Sequence, residues 1–217
     1  MNKKQIFKII IFILIFIWLT ISLTYILRTN GDEKDRFTGF YSELDNTIDA
    51  VIIGSSPVYP GYATPRLWGE TGIAMYPLST NMQRPVAGYY LVKEALKTQS
   101  PQLFIFDMRM YTAREIDMTA NPGHTRGVTD NLKYSWNRIE AINDLTSDTE
   151  VFTESKYTYY FDIFKYHSNW RTLFLWSQIR DFTYEYPDDL KGYVIKDNVG
   201  PTEYVDVSGI TGSEPIE

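Results

Sequence analysis

The sequence predicts an α/β fold built on a parallel sheet and preceded by one N-terminal transmembrane helix. Three observations carry that expectation. Ile9 to Leu27 is a run of 19 residues without a charge, enough at 1.5 Å per residue to cross about 28 Å of hydrocarbon. Three later runs, at Ala50–Ile53, Ile73–Leu78 and Leu103–Phe106, are short and apolar, and a polar turn follows each. That is the pattern of strands buried on both faces. The segments between them carry helix start and stop signals, so the order is strand, helix, strand, helix, strand, as in a parallel sheet with right-handed crossovers.

The N-terminal run is flanked by Lys3, Lys4 and Lys8 before it and by Arg28 after it, then by Asp32, Glu33 and Asp35. The excess of lysine on the first side places the N-terminus in the cytoplasm and the body outside it, in a single-pass protein of the cell membrane. A cleaved signal peptide would have a shorter apolar core ending in small residues. Here the run ends Thr24-Tyr25-Ile26-Leu27-Arg28, so residues 1–28 read as an uncleaved anchor. Residues 29–45 are polar and charged and read as a juxtamembrane linker.

The body is expected over residues 46–193. After the first strand, Thr64 and Pro65 are an N-cap and first-turn pair, and Gly72 is a stop. Pro77 weakens the end of the second strand. Pro85 to Lys97 reads as a helix that Pro101 closes off. Thr112 to Thr129 reads as loop. Asp130 to Leu145 reads as an amphipathic helix capped by Asp130, with Leu132, Trp136, Ile139 and Ile142 on its apolar side. The aromatic stretch Ser155 to Phe182 reads as one or two helices packed on the sheet or over its edge. Residues 194–217 read as a polar tail.

Composition narrows the chemistry. Beyond residue 28 there are 17 basic residues against 27 acidic ones, a net −10, and an acidic body argues against nucleic acid as a partner. Without cysteine there is no disulfide, Cys-ligated metal or Cys nucleophile. No cluster has zinc or calcium ligand spacing, and no glycine-rich phosphate loop follows a strand. No metal and no cofactor is therefore expected. The two histidines, His124 and His167, limit general-base proposals.

In open α/β sheets ligands bind beyond the carboxyl ends of the strands, where the strand order reverses. The first strand is expected between the second and third. Gly54-Ser55-Ser56, Ser79 to Gln83 and Asp107-Met108-Arg109 then converge. Ser56 is the nucleophile candidate. Asn81 and Gln83 are candidate oxyanion or substrate-binding groups, joined by Asp107 and Arg109, and His124 is a weak candidate for the base. The alternative is structural: the serines cap the next segment and the amides hold a loop.

The stretch Ile48-Asp49-Ala50-Val51-Ile52-Ile53-Gly54-Ser55-Ser56 resembles the first block of the SGNH (GDSL-type) hydrolase superfamily, a strand ending in Gly-Asp-Ser whose serine is the nucleophile. Ser55 replaces the Asp, as in the cell-envelope branch that includes the D-alanine transfer proteins of teichoic acid. Leu67 to Ile73, Leu78 to Gln83, Tyr89 to Leu96 and Tyr166 to Trp170 are similar to pieces of membrane-anchored members. The resemblance implies a partial flavodoxin-like, three-layer fold over residues 46–193. It also implies an acyl ester hydrolase or O-acyltransferase acting on cell-envelope polysaccharide, with a membrane acyltransferase as a further partner. Ser56 would be its nucleophile.

The sequence departs from that pattern in three places. The second block's oxyanion glycine has no counterpart between Asn81 and Gln83. The third block's Gly-x-Asn-Asp reads Asp107-Met108-Arg109. The Asp-x-x-His that supplies the base is missing from the chain. Without a positioned base, serine acylation loses about 10²–10⁴-fold. Three expectations stand side by side: an acyl hydrolase or acyltransferase whose base lies outside the chain, a non-catalytic envelope binding or assembly protein, and an inactive, C-terminally truncated gene product.

Overall fold

The computed structural model describes residues 2–29, 31–112, 122–148, 150–180, 182 and 184–196. The 194–217 tail expectation lies outside these beyond residue 196. The fold is mixed α/β around a three-stranded parallel sheet. Its first element, α1 (Lys3–Leu27), is a single apolar helix. Asn2 starts it with a capping box: its side chain accepts from the Gln5 N–H at 3.1 Å, and its own N–H donates to Gln5 Oε1 at 2.9 Å. The helix is long and apolar enough to cross a membrane.

The segment read as a linker is not one. Asp32–Ser42 forms a helix, α2, and its Phe37 and Phe40 are fully buried in the main core. Polarity misled because the charged residues do structural work: Asp32, Glu33 and Asp35 fill the first turn, where acids favour the helix dipole. Arg28 is no surface flank either. It is 2% exposed and pairs with Asp162.

The sheet order is β2 (Met75–Ser79), β1 (Ala50–Gly54), β3 (Leu103–Phe106). Ala50 lies opposite Met75 and Leu103, and Ile53 opposite Leu78 and Phe106. Central β1 is buried along its whole length, which is why it reads as an unbroken apolar run. Pro77 is tolerated because β2 is an edge strand. The other edge, β3, leaves Leu103 and Phe106 exposed.

Two short helices, α3 (Val58–Gly61) and α4 (Thr64–Thr71), connect β1 to β2. Gly72 ends α4 in the left-handed conformation, φ 72°. After β2 come α5 (Pro85–Ala95), β3 and α6 (Arg109–Thr112). Helix α5 packs on β1 and on the later helix Trp136–Leu145, while α2 and α4 pack on β2.

Beyond β3 several expectations change. Pro122–Thr129, read as loop, is a helix, α7. The next helix, α8, covers only Trp136–Leu145 and is capped by Ser135, whose Oγ accepts from the Arg138 N–H at 3.3 Å. Asp130 cannot cap it, because it follows α7 and is buried among arginines. Leu132 and Ile142 are buried, but Trp136 and Ile139 are exposed, since α8 turns Asn137, Arg138 and Ala141 inward instead. The aromatic stretch breaks into single turns: α9 (Tyr157–Tyr160), α10 (Ile163–Tyr166), a 3-10 turn (His167–Thr172) and α11 (Trp176–Ile179). These pack on α1 and α8 rather than on the sheet.

What draws them to α1 is a buried ionic centre. Asp162, 0% exposed, accepts from Arg28 Nε at 2.6 Å and is ion-paired with Arg138, itself 1% exposed. Arg28 also lies 5.1 Å over the rings of Tyr25 and Tyr184. The end of α1 is thus built into the body.

Candidate functional site

The carboxyl ends of the three strands lie along one edge with β1 in the middle, as crossover handedness predicts. Gly54 ends β1 where no larger residue fits. A Cβ there would overlap the Asp107 Cβ and lie 2.6 Å from Val58 Cγ2. That close approach brings the β1 turn against the end of β3. The Ser55 N–H donates to Asp107 Oδ2 at 3.4 Å, and the Arg109 N–H donates to Asp107 Oδ1 at 3.0 Å. Both Asp107 oxygens are therefore engaged by backbone, and Asp107 clips two turns together. Arg109 is exposed.

Ser56 is half-buried at the start of the turn after β1. Among the described residues, none of His124, Glu33 and Asp107 hydrogen-bonds its hydroxyl. Gln83 is 1% exposed. Its Oε1 accepts from Thr80 Oγ1 at 3.4 Å, and its Nε2 faces Met110 Sδ at 3.9 Å, so it holds the loop from inside. His167 Nδ1 meets the Phe164 carbonyl at 3.0 Å in an exposed turn. His124 is half-buried in the first turn of α7, and its Nδ1 is buried with no partner among the described residues.

Asn81 has a different setting. Its Oδ1 accepts from the Tyr59 hydroxyl at 2.7 Å, and its N–H donates to Glu33 Oε1 at 2.6 Å. Below it, Arg36 stacks 3.9 Å from the Tyr59 ring centre and donates through Nε to the Ser79 carbonyl at 3.1 Å. Helix α2, α3 and the β2 loop thus form one polar cluster. Burial pushes the Glu33 carboxyl above its ordinary range, against the opposing pull of the Asn81 N–H, Arg36 and His124.

This cluster is one wall of a cavity of about 520 Å³. Glu33, Tyr59 and Asn81 stand on that wall. Arg126, Asp130, Glu154, Lys165 and Tyr166 line the rest of it, with Arg28 and Thr29 at the end of α1. Arg126 donates to Glu154 at 2.8 Å and lies 3.4 Å from Asp130, which also accepts from the Tyr166 hydroxyl at 2.7 Å. Ser56 does not line the cavity.

Comparison with protein-family models, with curated proteins and with solved structures finds no significant match. The chemistry of the cavity has to be read from its own walls. It offers cations, carboxylates, phenols and amides within one space, which suits a ligand rich in hydroxyls or carrying both charges. Among the described residues no group of three or more His, Asp or Glu side chains is arranged to hold a metal ion.

Of the wall residues, only Asn81 was a sequence candidate. Glu33 was missed, with Arg36 beneath the wall, because their segment read as a linker. A signal was there: three acids in four residues, followed by Phe37 and Phe40, is a helix start leading into a buried face. Arg126, Asp130 and Tyr166 are brought to the cavity by packing between distant segments, and no local pattern marks them.

Proposed function

We propose that this chain is a membrane-anchored envelope protein that binds a polar ligand, envelope polysaccharide or its acyl ester, in the cavity beside Asn81, and that it is at best a very poor esterase. The N-terminus is cytoplasmic and the body extracytoplasmic in this reading, and the sheet is part of an SGNH-like, flavodoxin-like three-layer fold. One observation carries the choice of binding over hydrolysis. The cavity is walled by Glu33, Tyr59, Asn81 and Arg126, whereas Ser56 stands apart from it without a base within hydrogen-bond reach among the described residues. Acylation of a serine needs nucleophile, oxyanion site and base together.

A second reading, an acyl hydrolase or acyltransferase completed by a base from a membrane partner, is favoured by the place of Ser56. It follows the central strand, at the position where the resemblance puts the nucleophile. One experiment separates the two. The full chain in detergent is assayed against a short-chain aryl ester and, in parallel, for retention of cell-wall polysaccharide, beside Ser56→Ala and Asn81→Ala. The binding reading expects negligible turnover, retention unchanged in Ser56→Ala and at least a several-fold loss in Asn81→Ala. Robust turnover that disappears in Ser56→Ala would overturn it in favour of the enzyme.

A further inference from the structure

The exposed side chains of α1 run from Lys3 to Leu19, while Ser22 and Thr24 to Leu27 are buried in the body. The 17 residues Lys3 to Leu19 rise about 25 Å, short of the roughly 30 Å of a bilayer's hydrocarbon core. If α1 crosses a bilayer, the rest of that thickness meets whatever surrounds its last two turns.

An aromatic-rich stretch packs on them and on Trp18 just before them. The Phe182 ring packs edge-on against Trp18 at 5.8 Å. Asn169 Nδ2 donates to the Leu27 carbonyl at 2.9 Å, and α10, the 3-10 turn and α11 all pack on α1. The same turns point large apolar groups away from the protein: Phe174 is 85% exposed, Trp176 69%, Trp170 63% and Phe164 62%. Such a dense exposed set is costly in water, and tryptophan favours the membrane interface. One cation stands among these rings: Arg171 lies 5.8 Å over the Trp170 ring, while Lys165 and Arg180 are paired with Glu154 and Asp35.

We infer that the turns from Phe164 to Arg180, together with the Phe182 ring, form a collar seated in the lipid interface around the C-terminal end of α1, so that the body rests on the bilayer instead of hanging from one helix. The inference rests on the reading of α1 as a membrane anchor. It brings the cavity, which Arg28 and Thr29 border, to the membrane surface. Arg28 lies ten residues beyond Trp18, about 15 Å along the axis. A ligand tethered to lipid would reach it without leaving the surface.

The chain has no cysteine, so one introduced cysteine labels one site. Four full-length variants, Phe12→Cys, Phe174→Cys, Trp176→Cys and Trp68→Cys, are labelled with bimane and reconstituted into phosphatidylcholine–phosphatidylglycerol vesicles with brominated acyl chains. Phe174, Trp176 and Trp68 are all exposed, so the labels leave the packing intact. The collar expects strong quenching at position 12, quenching at 174 and 176 several-fold above that at 68, and little at 68. Quenching at 12 with 174 and 176 no different from 68 would overturn the collar and leave the anchor standing. No quenching at 12 would overturn both.

Discussion

Replacing Asp162 by alanine should strand two arginines inside the protein. Asp162 is fully buried and accepts from Arg28 Nε at 2.6 Å while pairing with Arg138. The arginines are 2% and 1% exposed, so water cannot take over the lost carboxylate. Removing one partner of a buried pair costs about 3–5 kcal/mol. Two features hold the loss near the middle of that range. Arg138 keeps bonds to the Thr129 and Tyr159 carbonyls at 2.7 and 2.9 Å, and Arg28 keeps the faces of Tyr25 and Tyr184. For a chain of this size about 4 kcal/mol corresponds to a fall in Tm of roughly 8–16 °C. Calorimetry of the full chain in detergent reads it directly. Glu70→Ala, which breaks the exposed Arg66–Glu70 pair, should move Tm by no more than about 2 °C. The charge-free triple variant Arg28→Met, Asp162→Leu, Arg138→Met should recover part of the loss, since no charge is left buried alone, although the Thr129 and Tyr159 carbonyls lose their Arg138 donor. A shift for Asp162→Ala no larger than that for Glu70→Ala would refute the reasoning.

Two further outcomes are expected. Gly54→Ala places a methyl against the Asp107 Cβ and Val58 Cγ2, and overpacking of this kind costs about 1–3 kcal/mol; a variant as heat-stable as the parent would show that β1 and β3 do not meet so closely. Glu154 accepts from Arg126 at 2.8 Å and from Lys165 at 2.9 Å, and the bonds to these two cations hold its carboxyl below the ordinary 4.5. A depressed carboxyl stabilises the fold above its unfolded value, and that contribution disappears as pH falls through the depressed one. The Tm difference between the parent and Glu154→Gln should therefore be largest near neutrality, small because the site is part-exposed, and absent in strong acid. A difference that stays constant down to pH 3 would exclude the linkage.

The sequence by itself determined the apolar N-terminal helix, the three strands and their parallel order. The reason is local. An uncharged run of bilayer length, an apolar run ended by Gly54, and Pro85 opening a helix each bias the backbone within a few residues, and crossover handedness then leaves one arrangement with β1 in the centre. Tertiary structure decided the rest. Polarity alone could not place α2, because Phe40 finds its partner in Tyr76 on the sheet and Phe37 is buried in the same core. Nor could spacing show that Asp130 would meet the Tyr166 hydroxyl, 36 residues on, or that Arg28 would meet Asp162, 134 residues away. A local pattern reports what a residue prefers alone. The cavity beside Asn81 exists because Glu33, Tyr59 and Arg126, each unremarkable in its own segment, are carried to one place by burial that only the complete fold can supply.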